Sequence, residues 1–478
     1  MKTETKVGTT STAHYNQHSN PSDEVVLVNG YEKKDSLELW IPENLNIDRI
    51  LDENPPEFEF KKDKMVYILH LIHSIPSAKK DMIDNYTGYT PISREILGRV
   101  IKNNRQYVNY LKDQNIVEED NYVVGTKSRG LRFTSRYRTK IAQVEIHDWC
   151  LIKNLLYLRK KVDNENTQKL SFMKQWFSDL TVDIEGAKKY LDEEYEKDKL
   201  NPECKYPELR YNSRLLTIQN LESTKSRPLF FVDTTSGRLH TYLTQLKSEL
   251  RKFVKYKGKT LYSIDIVNSQ PYFSTSLLNV KEYENNKMVE RITTVLTRNK
   301  LNSEVITIML GVLIKSIESE EDVLLFKGIV QSGKFYEEFG KILVENGIIE
   351  NGSDPKKIRK IVKEITFQTF FSKNISVRYL ENVKIFKEFF PNVYKVFCGI
   401  KETHHPTLAI ILQNLEADLI LHQVCTFIKT SRPQIPLFTL HDSIITTEEH
   451  VKYVQKVMQR ILKTHLGTAP ELDTKPWE

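Results

Sequence analysis

Two short β-prone runs that each stop at an aspartate constrain this 478-residue chain more than any other feature. TLYSIDIVNSQPYFSTSLL, at 260–278, opens as an apolar strand, ends that strand at Asp265, and passes through polar residues into a helix-like stretch. FTLHDSIITTEEH, at 438–450, places His441 and Asp442 between two apolar runs, so that both fall on the bend of a hairpin. Strand-borne acids from distant parts of a chain are what two-metal phosphoryl chemistry needs, because each carboxylate binds or bridges Mg²⁺ ions about 4 Å apart. Taken singly, either aspartate also has an ordinary use as a turn or cap residue.

A third segment bears on that choice. SDPKKIRKIVKEITFQTFF, at 353–371, begins with Ser353 or Asp354 as a cap and Pro355 in the first turn, then sets Arg359, Lys363, Phe367 and Phe371 four residues apart. One helix face therefore carries two cations followed by two aromatic rings, suited to gripping a triphosphate at one end and stacking on a base at the other.

Here the chain resembles the family A polymerases, the polymerase I-like DNA polymerases and their phage-type single-subunit RNA polymerase relatives. SIDIVNSQPYF is similar to their motif A, the Arg-x3-Lys-x3-Phe-x3-aromatic pattern to motif B, and TLHDSIITT to motif C, in that order. DTTSGRLHTYLTQLKSELRKF (233–253) is similar to a Gly-Arg stretch that touches the primer-template. FKGIVQSGKFYEEFGKIL (326–343) resembles the segment leading into motif B, LAIILQNLEADLILHQV (408–424) the helix before motif C, and KPWE the family's C-terminus. The resemblance covers residues 226–478.

It implies an α+β right-hand polymerase fold with palm, fingers and thumb. Asp265, Asp442 and the backbone carbonyl of Ile266 would hold two Mg²⁺ ions, or Mn²⁺ in their place. Arg359 and Lys363 would bind the incoming phosphates, Lys363 also protonating the leaving pyrophosphate. Phe367 would pack on the nucleotide, Phe371 would stack at the insertion site, His441 would contact the primer terminus, Gln413 the template-primer region, and Arg238 the duplex minor groove.

The chain also departs from the pattern. Gln270 falls where the DNA polymerases keep a Glu as a steric gate against the ribose 2′-hydroxyl, and still fills that space. Phe371 lacks the phenol hydroxyl with which the RNA polymerases favour ribose, and Ser372 follows it in place of Gly. Ser443, where DNA polymerases have Glu, is the RNA polymerase choice. The stretch 279–322 reads as an added helical piece. A DNA polymerase acting on a primer-template with dNTPs is favoured; an RNA polymerase or primase-like enzyme, on DNA or RNA, is the alternative. A non-catalytic initiator built on a degenerate polymerase scaffold is a further one, and so is a Mg²⁺ nuclease.

Upstream, residues 61–145 read as helix, helix, helix and β-hairpin, the order of a winged helix, with Ser93 as a cap. Its arm carries Lys127, Arg129, Arg132, Arg136, Arg138 and Lys140 interleaved with Phe133 and Tyr137, as a phosphate-contacting wing would. A solvated basic hairpin or a protein-binding winged helix remains open. Residues 1–60 read as a mostly disordered tail, and 146–225 as a helical linker or thumb. Neither a nuclease nor a proofreading constellation is found before residue 226. A winged helix fused to a polymerase points to a mobile element, plasmid or virus copying its own DNA.

Composition adds limits rather than chemistry. The balance of 70 Lys plus Arg against 63 Asp plus Glu gives a net +7, too little to name a partner. The four cysteines form no pair or Cys/His cluster at zinc spacing, which favours reduced thiols and an intracellular, cytoplasmic setting. No signal peptide and no run of about 18 apolar residues is read, so no membrane partner is expected. His404, His405 and His422 read as surface or packed histidines.

Overall fold

The computed structural model describes residues 27–28, 31–32, 36–78, 88–121, 129–160, 164–222, 229–298 and 304–478. The chain is a mixed α/β protein organised around one six-stranded antiparallel sheet. Its strands are β1 (Leu180–Val182), β2 (Val254–Tyr256), β3 (Lys259–Ile266), β4 (Phe438–Leu440), β5 (Ser443–Thr447) and β6 (Leu472–Pro476). The order is β4-β5-β3-β2-β1, with β6 on the other side of β3. The long strand β3 is thus flanked along its C-terminal half by β5 and β6, which opposes Asp265 to both Ser443 and Asp473.

Strand alternation decides why this sheet sits where it does. Ile264, Ile266 and Ile444 turn into a large helical core, while Leu261 and Ile445 turn into a second core on the opposite face. All five residues of β5 are buried, so a one-residue slip would exchange the two sets of neighbours, and the register of the acid-bearing strands is tightly specified. Each fully buried Ile contributes about 1.5–3 kcal/mol.

The large core is helical and rich in aromatic edge contacts, among them Phe326–Phe390 at 5.4 Å and Phe370–Phe397 at 4.8 Å. It includes helices α1 (Phe335–Glu345), α2 (Pro355–Phe371) and α3 (Thr407–Ala417). Helices α1 and α2 cross at Gly340, where an added Cβ would lie 2.5 Å from Ile358 Cγ2. Residues expected as an added helical piece form helices Val280–Glu284, Lys287–Arg298 and Glu304–Ile317. Helix α3 runs on through a π-helical segment, Asp418–Cys425, to Ser431. The expectation that no segment is apolar and long enough to cross a membrane fails here: Thr407–Ser431 meets that test. Most of its apolar stretch is nonetheless buried, because it is a central helix of the core.

The N-terminal region begins earlier than the sequence indicates. Leu37–Pro42 pairs with Ile141–Ile146 along its whole length, and helix Ile47–Glu53 follows, so the expected tail to residue 60 is packed structure from Leu37 onward. Alternation of Leu37, Leu39 and Ile41 into the core carries that strand. Helix Lys62–Ala78, strand Thr90–Pro91, helices Arg94–Gly98 and Asn104–Asp113, and strands Val117–Glu119 and Gly130–Phe133 then form a helical layer on a three-stranded sheet. Ser93 accepts from the Ile96 amide at 3.3 Å, as its cap position requires.

This body rests on the helices Ile184–Leu200 and Pro207–Glu222. Asn212 donates to the Thr139 carbonyl at 2.9 Å, and Lys140 pairs with Asp192 at 2.6 Å. The boundary at 226 is also corrected, because β1 comes from the expected linker and pairs with β2 of the main sheet.

Candidate active site

The Asp442 turn is a two-residue loop closing Leu440 against Ser443. His441 occupies its first position at φ +60°, a left-handed conformation that glycine adopts without cost and histidine does not. Asp265 lies on the neighbouring strand, where Ser263 Oγ donates to its Oδ2 at 3.1 Å. Burial pushes the Asp442 carboxyl above its ordinary range; a hydrogen bond from Ser269 opposes this, and the nearby charge of Asp265 reinforces it.

The turn after β3 is held from two sides. Val267 donates to the Glu471 carbonyl at 3.0 Å, and Asn268, itself at φ +56°, donates through Nδ2 to the Gly333 carbonyl at 2.8 Å. Gly333 has φ +72°, and a Cβ there would fall 2.0 Å from Glu471 Oε2. The loop leading into α1 and the C-terminal strand therefore close on the acid-bearing turn.

Helix α2 starts at Pro355 after Asp354, whose side chain makes no capping hydrogen bond. The expected face is present. Phe367 and Phe371 are 41% and 37% exposed and stack at 5.8 Å between centroids, so two large rings face solvent on a helix whose other face buries Val362, Ile365, Thr369 and Phe370. Arg359 and Lys363 lie 5.1 and 5.5 Å over the ring of buried Tyr336. Arg359 also pairs with Glu337.

Burial lowers the pKa of the Lys363 ammonium, and the positive charges of Arg359 and Lys475 push the same way. Burial pushes Tyr336 up to about 12, with Arg359 opposing and Asp442 adding to it, so Tyr336 stands within reach of the charges of both Arg359 and Asp442. Lys401, buried, donates to the carbonyls of Thr369 and Ser372 at 2.6 and 3.1 Å and fixes the C-terminal end of α2.

Arg238 is placed by the hairpin Phe230–Val232 and Leu239–Thr241. Asp233 organises its bend: burial raises that carboxyl, but hydrogen bonds from His240, Ser236 and the backbone overcome it and hold it well below the usual range. The Arg238 side chain turns inward. Its Nε and Nη2 each donate to a different oxygen of Glu416 at 2.9 Å, and Gln270 Nε2 donates to Glu416 Oε2 at 3.2 Å. Glu416 is 1% exposed, and burial pushes its carboxyl up to about 7 against the pull of Arg238. Gln413, half-buried, lies one turn earlier on α3.

Asp265, Asp442, Arg238 and Gln270 thus gather at one end of the sheet, with Arg359 and Lys363 turned toward the same neighbourhood. Three contributors were not read from sequence: Glu416, whose only signal was an acid in an apolar helix, Tyr336, and Ser269. Among the described residues, no group of three or more His, Cys, Asp or Glu side chains gathers in a metal-ligand cluster. The acid pair is a hard oxygen donor set, and the repulsion between its members is what a divalent cation would relieve.

The expected basic wing differs from its sequence reading. Lys127 lies outside the described residues. Arg132 is tied to Glu118 at 2.7 Å, and Arg129 lies 3.7 Å from Glu119, so the acids come from the neighbouring strand. Phe133 and Tyr137 are core residues. Arg138 donates to the Phe133 carbonyl at 3.0 Å, which leaves Arg129 and Arg136 as the exposed cations of the set.

No protein-family model matches the chain, and no curated protein matches it. It is similar to a solved structure described as the POL domain of Pol1 from M. smegmatis in complex with DNA primer-template and dNTP. The identity is 12% and the TM-score 0.31, over 69% of this chain and 73% of that one. A superposition that loose fixes neither fold nor site, so the function has to come from the residues themselves.

Proposed function

We propose that this chain is a template-directed nucleic-acid polymerase, in first place a DNA polymerase that extends a primer 3′ end with dNTPs. The observation that carries the reading is Asp265 at the end of β3 beside Asp442 in the turn before β5, together with Tyr336, which lies under Arg359 and Lys363 and feels the charge of Asp442. In this reading the β3–β5 sheet is the palm, the helices from 279 to 401 are the fingers, part of 146–225 is the thumb, and the N-terminal body is a winged helix.

Mg²⁺ held by Asp265, Asp442 and the Ile266 carbonyl would supply Lewis acidity to the primer hydroxyl and neutralise developing phosphate charge. The protein's own groups do the rest. Arg359 and Lys363 bind the triphosphate, exchanging the Glu337 pairing for phosphate oxygens. The primer 3′-hydroxyl gives up its proton to solvent and its oxygen bonds to the α-phosphorus; as the bond to pyrophosphate breaks, Lys363 delivers a proton to the leaving group. Its lowered pKa suits that task. Phe367 and Phe371 stack on the nucleotide, and His441 and Gln413 meet the primer-template. Arg129 and Arg136 would add phosphate contacts from the winged helix.

One observation favours the ribonucleotide branch as a second reading: Oε1 of Gln270 is a buried acceptor with no partner among the described residues, able to accept from a ribose 2′-hydroxyl. Extension of a labelled primer with dNTPs against NTPs separates the two.

A further inference from the structure

We propose that Glu416 is a specificity-positioning residue: its buried carboxylate fixes the side chains of Gln270 and Arg238 in one arrangement, and so sets how the site discriminates the nucleotide sugar. This deepens the polymerase reading and rests on it.

With both its oxygens accepting from the Arg238 fork, Glu416 in its ionised form can only accept, so the group of Gln270 that faces it is the NH2, as the 3.2 Å contact from Nε2 has it. The amide oxygen thereby faces the opposite side, where it is buried and has no partner among the described residues. Without the acid the amide could turn either way round, and its reach into the nucleotide site would vary. Arg238 restrains the acid in turn. Its fork engages both carboxylate oxygens at 2.9 Å, leaving Glu416 no freedom to rotate. Nη1 of Arg238 takes no part in that pair and is left for the duplex.

A purely structural role is the competing explanation. An arginine–carboxylate pair in apolar surroundings is often no more stabilising than a hydrophobic replacement of similar volume, so stability alone does not account for it. The pair ties the hairpin at 238 to the turn after β3 through α3, three segments distant in sequence, and the atom it orients belongs to Gln270, five residues after Asp265 in the helix that follows β3.

The test measures kcat/KM for dNTP and NTP incorporation on one primer-template, for wild type, Glu416→Gln, and the exchanged pair Glu416→Gln with Gln270→Glu. Nucleotide binding to each protein–primer-template complex is followed in parallel with Ca²⁺. Glu416→Gln should lower the sugar discrimination ratio by about tenfold or more, in binding as well as turnover. The exchanged pair, which again sets one carboxylate against one amide, should restore it. A variant that folds yet discriminates as wild type does, or that loses dNTP and NTP efficiency in equal proportion, overturns the inference while leaving the polymerase reading intact. A wild-type protein that neither binds nor incorporates nucleotides overturns that reading, and this inference with it.

Discussion

Asp265 and Ser443 stand directly opposite each other on antiparallel strands, which sets Asp442, the residue before Ser443, at the mouth of the hairpin beside the end of Asp265's strand. Because β3 is paired on both sides there, Asp265 is fixed by its strand, and Asp442 is fixed by the two-residue turn that closes Leu440 on Ser443. Groups that hold metal ions must be fixed within about 0.5 Å.

The turn residue His441 gives the first prediction. Its left-handed backbone costs about 1 kcal/mol that glycine would not. His441→Gly should therefore keep or raise thermal stability, while primer extension falls, chiefly through weaker primer-template binding. A variant with unchanged extension would leave His441 without a role at the primer terminus.

Glu416 should leave a mark on stability against pH in the presence of a chelator. Its carboxyl lies at about 7 in the folded chain against an ordinary 4.5, so the folded state binds the proton more tightly. That contribution is complete below about 4.5 and is lost as pH rises through about 7. The unfolding free energy of wild type minus that of Glu416→Gln should fall across this window by something on the order of 3 kcal/mol. Urea melts at several pH values give the difference, and a flat one would show that Arg238 holds the acid ionised throughout.

Lys363 and Arg359 divide their labour. Lys363→Met should lower kcat about 10²–10⁴-fold if the lysine delivers the proton to pyrophosphate, with a smaller change in nucleotide KM. Arg359→Ala should mainly raise KM, since it removes a phosphate grip. Pre-steady-state single-nucleotide incorporation separates the two effects. Equal losses in both parameters for both variants would assign them one shared role.

The N-terminal body makes a salt-dependent prediction. Replacing the exposed Arg129 and Arg136 with Ala should weaken binding to duplex DNA and reduce the log–log salt slope by about 1 for each phosphate no longer neutralised. Arg132→Ala should instead lower stability, because Arg132 is committed to Glu118 and stacks 4.2 Å over Tyr89. An unchanged slope in the double variant would remove this body from DNA binding.

The acid-bearing strands were legible because a short apolar run, a terminal aspartate and a two-residue bend are local patterns, and so was the four-residue spacing on α2. The Arg238–Glu416–Gln270 link was not, since its members come from three distant segments and no local periodicity connects them. Leu37–Pro42 read as a tail although LELWIP alternates apolar residues: it follows a long polar N-terminus, and its partner, Ile141–Ile146, lies about a hundred residues on. The basic arm misled because charge was counted along the sequence, whereas Glu118 and Glu119 reach it across a sheet.

The most direct test is extension of a labelled DNA primer on its template with Mg²⁺, comparing dNTPs with NTPs, for wild type and Asp442→Asn. Wild type should add dNTPs in preference to NTPs, and the variant should lose at least about 10³-fold in rate while melting, in chelator, no lower than wild type. That second expectation follows because a carboxylate whose pKa burial raises is no source of stability when ionised and metal-free. Wild-type protein that extends no primer with either nucleotide set, on DNA or RNA templates, or an Asp442→Asn variant that extends as wild type does, would contradict the assignment of this site to nucleotidyl transfer.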